Sequence, residues 1–292
     1  MDISEKFERG KILAPFCTYQ IGGAADYFLE AANPQDLVAA LEWANSNKLP
    51  FFVFGGGSNL LFDDAGFRGL VIRVAMSDLS LDGEKIRAGA GCKIANLVNA
   101  AKEAGLSGLE AWNGLPGTVG GAVFGNAGCF GVETRDMLES AEIFDGEVRT
   151  VGVDFFEYEY RNSKLKRDGG CAVLSAVFKL QKGDRAVIDA KMKEVAVSRV
   201  KKQPAGSSTG SFFKNPSAEK PAGLLIEQCG LKGKMVGRAQ VSEVHANFIL
   251  NRGGATSADV LGLAAMVAKE VKKKFGVELE REVVYVTVPP RG

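Results

Sequence analysis

The sequence predicts an N-terminal α+β domain of about 180 residues followed by a smaller α/β domain of about 105, both ordinary sizes for folding units. Three observations predict it. Helical periodicities and short apolar runs alternate along the chain, with no internal repeat or low-complexity tract. The 36 glycines cluster in turns that follow apolar runs. The pattern breaks at Gln181-Lys-Gly-Asp184, between a strand-rich stretch and a long helix, so the expected domains are 1–183 and 184–292.

Taken in order, Asn33 is a suitable N-cap and Pro34 a suitable first-turn residue for a helix over 34–48. A strand at Phe51-Phe-Val-Phe54 runs into Gly55-Gly-Gly-Ser-Asn-Leu-Leu61, and Gly69-Leu-Val-Ile-Arg-Val74 reads as the next strand. Residues 94–104 form a second amphipathic helix closed by Gly105. A second glycine cluster follows, from Gly114 to Gly128, and residues 138–180 then alternate as strands do. A helix over 186–202 leads to a loop, 203–216, too long and too rich in small residues to be a mere connector. The remainder predicts a helix at 221–229, a strand-like run at 246–250, a helix at 257–275 and a final strand at 279–288. In the helix at 257–275, Val260, Leu263, Ala264, Val267 and Val271 share one face, with Lys272–Lys274 near its C-terminus.

Composition narrows the chemistry. The 36 Lys and Arg nearly balance the 35 Asp and Glu, so no basic excess argues for nucleic acid, and any phosphate binding must be local. The N-terminus is charged and no apolar run approaches the ~18 residues of a membrane span, which predicts a cytoplasmic protein without a membrane partner. The five cysteines are widely spaced, without a CxxC pair, and suggest neither a disulfide framework nor a zinc site. With a single histidine, His245, and no G-x-S-x-G elbow, hydrolase and metal readings start weak.

Three consecutive glycines, Gly55-Gly-Gly57, allow backbone N–H groups to converge on an anion such as a pyrophosphate, although a tight strand-to-strand turn explains the cluster equally well. The second cluster, Gly117-Thr-Val-Gly-Gly-Ala122 through Asn126-Ala-Gly128, favours a long phosphate-containing ligand. The first cluster is neither a P-loop nor a G-x-G-x-x-G fingerprint. Arg161 offers a forked permanent cation to a carboxylate or enolate, or is simply a surface arginine. Ser211 places a hydroxyl beside Lys214 and Asn215, or is a turn serine. On a strand Glu282 shares a face with Val284, Val286 and Val288, so it is either a carboxylate on a buried face or a solvated strand end.

Phe54-Gly-Gly-Gly-Ser-Asn-Leu-Leu61, Gly114-Leu-Pro-Gly-Thr-Val-Gly-Gly-Ala122 with Asn126-Ala-Gly128, Tyr160-Arg-Asn-Ser163, Gly210-Ser-Phe-Phe-Lys-Asn-Pro216, Ala222-Gly-Leu-Leu-Ile-Glu-Gln228 and Glu282 together resemble the UDP-N-acetylenolpyruvoylglucosamine reductases, in order and over nearly the whole chain. The resemblance implies a vanillyl-alcohol-oxidase/PCMH-type FAD-binding domain followed by a substrate-binding domain. It also implies FAD as cofactor, NADPH as co-substrate and a UDP-sugar as substrate, in peptidoglycan precursor synthesis. The short stretch from Tyr160 to Gly210 resembles the subclass without an extra tyrosine-bearing loop. By resemblance, FAD lies along Gly55, Gly56, Gly57, Ser58, Asn59, Leu60, Gly117, Thr118, Gly120, Gly121, Ala122, Asn126 and Gly128, and substrate meets Tyr160, Lys214, Asn215, His245 and Asn247. Arg161 and Glu282 then stabilise the enolate-like species formed when hydride reaches the terminal methylene carbon, and Ser211 donates the proton that sets the lactyl centre. Two departures matter: Cys17 stands where the family commonly has threonine, and Val284 where it usually has arginine, so Glu282 must be held by other groups.

Other FAD-dependent oxidoreductases of the same fold are the alternative, and a non-enzymatic nucleotide-binding protein a third. The former often tether flavin through histidine, and none precedes His245, so the flavin is expected to be non-covalent. A monomer is expected.

Overall fold

The computed structural model describes residues 2–287, which divide into two compact units. The first comprises Met1–Phe7, Leu29–Gly56 and Val71–Arg199, and the second Glu8–Phe28, Gly57–Leu70 and Val200–Gly292. The chain passes between them within the strands Ala24–Ala31 and Phe67–Val74. Each unit is thus assembled from interleaved segments, whereas the expected division at 183/184 is linear along the chain.

In the first unit, helix α1 (Pro34–Ser46) begins where Asn33 Oδ1 accepts from Asp36 N at 2.8 Å and buries Leu37, Ala40, Leu41 and Ala44. Helix α2 (Ile94–Glu103) buries Ile94, Leu97, Val98 and Ala101, again at helical spacing. The core is a five-stranded antiparallel sheet in the order Val148–Gly152, Leu138–Phe144, Ala172–Lys179, Lys85–Gly89, Leu79–Asp82. Opposed pairs such as Phe178 with Ile86 and Ala176 with Ala88 are wholly buried, as expected where one face of a pleated sheet meets a packed layer. Trp112, fully buried, meets Phe178 edge-on at 6.1 Å. Part of the second glycine cluster is itself a helix, α3 (Val119–Gly125), which packs on the strand Ala172–Lys179 and buries Val119, Ala122 and Val123. A short α4 (Lys164–Asp168) follows.

Helix α5 (Arg185–Lys202) belongs mainly to this unit, because Ile188 and Met192 are buried and Asn113 Nδ2 donates to Met192 O at 2.8 Å. This packing carries the first unit past residue 183.

In the second unit, Glu8–Ile12 pairs antiparallel with Ala24–Phe28, and Leu60–Phe62 pairs parallel with Val284–Val286. Thr18 N donates to Gly57 O at 3.1 Å and Asn251 Nδ2 to Tyr19 O at 2.9 Å, which draws the segment 8–28 to residues 57 and 251. A three-stranded antiparallel sheet runs Met235–Val236, Ala239–Val241, Ile249–Asn251. Helix α6 spans Ala222–Gln228 and α7 Ser257–Phe275. The predicted stripe of α7 is buried at all five positions, a Thr256/Asp259 capping box starts the helix, and Gly276 at φ 68° ends it.

The last strand is shorter than the 279–288 expected. It spans Val284–Val286, with a bend at Val283, and Val283 is buried (2% exposed) while Val284 is half-exposed. The bend breaks the alternation that would have put Glu282 on a face with Val284 and Val286, and Val288 lies outside the described residues.

Candidate active site

The two glycine clusters meet inside the first unit. An ideal Cβ on Gly55 would lie 2.0 Å from Thr118 Oγ1, and one on Gly56 would lie 3.0 Å from Gly117 Cα. Only bare main chain lets these loops approach so closely. The Thr118 hydroxyl is buried with no hydrogen-bond partner in the protein, so the contact contains an unsatisfied polar atom. Gly57, in the second unit, has φ 62° and a Cβ there would stand 2.2 Å from Phe16 O. Exposed Gly56 and Gly121 leave a low, backbone-lined surface beside Thr118. Such a surface and a spare hydroxyl fit the phosphate-bearing part of a dinucleotide such as FAD.

Several expected contacts have other work. Gly120 N donates to Ala90 O at 2.8 Å, and a Cβ at Gly120 would stand 2.8 Å from Ala90 Cβ, so this glycine serves the packing of α3. Ala122 is buried in the same helix. Asn126 is fully buried at φ 46°, where its Nδ2 donates to Glu133 Oε2 and Glu159 O, each at 3.0 Å, and its Oδ1 accepts from Arg135 N. Its amide is committed to the protein. Gly128 offers its carbonyl to Arg161 Nη2 at 2.6 Å.

Arg161 stands in a turn anchored on α3. The Tyr158 hydroxyl donates to Val123 O at 2.7 Å and Ser163 Oγ to Phe124 O at 2.6 Å, occupying carbonyls at the end of that helix. Glu159 and Asn162 exchange backbone hydrogen bonds of 3.2 Å, and Arg161 lies between them at φ 56°. A left-handed conformation in a long side chain is costly and persists only where neighbours impose it, a pattern concentrated at functional sites. The guanidinium lies 5.2 Å from the Tyr160 ring, whose side chain is 45% exposed. Burial raises the Tyr158 phenol far above its ordinary pKa, so it acts as a neutral donor. At the other end of the cluster, Arg199, 9% exposed, donates to Asn113 O at 2.8 Å and to Cys129 Sγ at 3.1 Å. It ties together the two ends of the second glycine cluster. Nothing in a basic helical sequence distinguishes it from a solvated arginine.

In the second unit, residues 211–214 lie as an extended segment between two others. Ser211 bridges Phe248 on one side and Phe213 bridges Arg281 on the other. Glu282 N donates to Phe212 O at 2.9 Å, and Asn59 Nδ2 to Glu282 O at 3.3 Å. Ser211, Asn59 and Glu282, distant in sequence, thus share one small region, in which the main chain of Glu282 is bonded through both its N–H and its carbonyl. Lys214 Nζ pairs with Glu280 Oε1 at 2.5 Å, so its charge is balanced locally. Asn215 Oδ1 accepts from Ala222 N at 3.1 Å and so caps α6. Asn247, 2% exposed, bonds through its side chain to the main chain of Phe213. His245 Nδ1 accepts from Asn247 N at 3.2 Å, and burial lowers the imidazole pKa below its ordinary 6.5, the nearby Lys232 adding to the shift. Of the two asparagines expected to meet substrate, Asn247 has both amide atoms bonded within the protein and Asn215 has its amide oxygen so bonded.

The family model for the UDP-N-acetylenolpyruvoylglucosamine reductase C-terminal domain matches residues 202–286, and an FAD binding domain matches residues 25–152. The chain is 42% identical over 280 residues to the UDP-N-acetylenolpyruvoylglucosamine reductase of Rubrobacter xylanophilus, covering 95% of this chain and 94% of that one. It is 43% identical over 284 residues to the Geobacter metallireducens protein of the same name, covering 94% of each. The crystal structure of the Thermus caldophilus reductase matches with a TM-score of 0.82 at 37% identity, over 96% of this chain and 98% of that one.

Proposed function

The chain belongs to the UDP-N-acetylenolpyruvoylglucosamine reductase family, and on that premise we propose that it reduces the enolpyruvyl ether of UDP-N-acetylglucosamine enolpyruvate to UDP-N-acetylmuramate, a step in peptidoglycan precursor synthesis. FAD, held non-covalently, supplies hydride transfer from NADPH to the methylene carbon of the enol ether. Of the residues that the family resemblance assigns to it, Gly55, Gly56, Gly57, Ser58, Asn59, Leu60, Gly117, Thr118 and Gly121 are those that would hold it.

The remaining work falls to side chains of this chain. Negative charge develops on the carboxylate-bearing carbon, where Arg161 supplies the opposing positive charge and Glu282 can help only as a carboxylic acid that donates a hydrogen bond. A preorganised donor aimed at such charge is worth about 3 to 4 kcal/mol. Ser211 Oγ gives its proton to that carbon. A serine hydroxyl is a weak acid, so the step draws on the basicity of the carbanion and on exclusion of water. Tyr160, Lys214 and His245 are the side chains assigned to the sugar nucleotide. We read it as a cytoplasmic monomer without a membrane partner, and its nearly balanced charge favours the absence of a nucleic-acid partner.

The observation that carries the assignment is the bond from Glu282 N to Phe212 O, 2.9 Å long, which brings the loop of Ser211 beside the segment of Glu282. The test is Ser211→Ala followed in two half-reactions. Bleaching by NADPH should stay within about twofold, while reoxidation by the enolpyruvyl sugar nucleotide slows by about 100-fold or more. Equal loss in both halves would remove Ser211 from the donor role.

A further inference from the structure

We propose that Asn247 is a positioning residue for Ser211: its carboxamide acts as an extra peptide group that fixes where the loop 211–214 presents its hydroxyl. The inference rests on the assignment of Ser211 as proton donor.

All four main-chain polar groups of Phe212 and Phe213 are taken, three of them by Asn247. Phe212 N donates to Asn247 O at 2.7 Å, Phe213 N donates to Asn247 Oδ1 at 3.0 Å, and Phe213 O accepts from Asn247 Nδ2 at 2.8 Å. The fourth group, Phe212 O, accepts from Glu282 N. The partners also settle which amide atom is which, because a backbone N–H can only donate and a carbonyl can only accept. Asn247 is 2% exposed and the Phe212 and Phe213 side chains are 0% and 4% exposed, so water does not compete for these groups.

No other short side chain offers a donor and an acceptor at this spacing. Aspartate lacks the N–H, leucine lacks both groups, and glutamine sets the amide one methylene too far out. Asn247 is itself tethered, since its N–H donates to His245 Nδ1. Because the residue after Ser211 is bonded to Asn247 on one edge and Glu282 on the other, the amide sets the register between the hydroxyl-bearing and the carboxylate-bearing segments. Catalytic groups need placement within a fraction of an ångström, which a loop rich in small residues does not supply alone.

The test is a double-mutant cycle on the FAD-loaded enzyme. Asn247→Ala should slow reoxidation by the enolpyruvyl sugar nucleotide about 10- to 100-fold, leave NADPH bleaching within about twofold, and raise hydrogen exchange at the Phe212 and Phe213 amides. In the Ser211→Ala background the same change should cost less than about twofold, because there is no hydroxyl left to place. Should Asn247→Ala not fold, Asn247→Ser, which keeps one hydrogen-bonding atom, carries the same comparison. Equal loss in both half-reactions, or losses that multiply in the double variant, overturns the positioning role alone. Wild-type reoxidation by Ser211→Ala overturns the donor assignment and this inference with it.

Discussion

Gly55→Ala tests whether the meeting of the two glycine clusters is what a dinucleotide needs. The new methyl would stand 2.0 Å from Thr118 Oγ1, against ordinary contacts of 3.4–4 Å, with Thr118 Cβ and Cγ2 at 3.1 and 3.2 Å. Rotation of the threonine moves Oγ1 and Cγ2 together and leaves Cβ at 3.1 Å, so the loops must part, by more than an ångström if the oxygen stays in place, or strain to stay together. Overpacking of this kind costs about 1–3 kcal/mol. If FAD requires the closed pair, its affinity falls about 5- to 150-fold, at 1.4 kcal/mol per factor of ten. Fluorescence titration of apo-protein with FAD measures this directly, and a melting curve without cofactor separates loss of fold from loss of binding. Gly55→Ala/Thr118→Ser, which keeps a hydroxyl but removes the methyl that hinders its rotation, should recover part of the affinity. A Gly55→Ala protein that purifies yellow and titrates like wild type would refute the reasoning.

Other outcomes follow from single contacts. Leu263→Ala in the buried stripe of α7 should cost about 2–5 kcal/mol in denaturant unfolding, since Leu263 is wholly buried. Tyr158→Phe removes the donor to Val123 O and should cost about 1 kcal/mol, while slowing sugar reduction more than NADPH bleaching because the turn carrying Arg161 loosens. His245, lowered from 6.5 by burial, binds protons more readily when the chain is unfolded, so stability is fully present above pH 6.5 and falls as pH drops through the folded pKa. His245→Gln should flatten that part of the Tm-against-pH curve, a clean comparison in a chain with one histidine.

Much of the secondary structure was legible because its signals are local. Asn33, Pro34 and the spacing of Leu37, Ala40, Leu41 and Ala44 announce α1, and five apolar positions announce α7. The second glycine cluster misled for a physical reason. Gly120, Gly121 and Gly125 lower helix propensity and read as loop, yet burial of Val119, Ala122 and Val123 against the sheet outweighs that and makes α3. The site was legible as a set of motifs, and less so as roles. Arg161 and Ser211 stand in shaped local structures, whereas Asn126 and Asn247 carry amides that satisfy backbone groups from remote segments, and Asn215 caps the helix seven residues on. An asparagine beside a functional residue looks the same in sequence whether it faces a ligand or a peptide.

The ordered motifs of this chain carried its resemblance to a family, which in turn implied the cofactor class, while composition fixed the residue types available for chemistry. Tertiary structure alone decided that residues 8–28 and 57–70 join the second unit, that Gly55 rests on Thr118, and that Asn247 grips Phe213. Hydrogen bonds and close contacts between segments far apart in the chain leave no periodic trace in either segment, and they form only when both are brought to the same place.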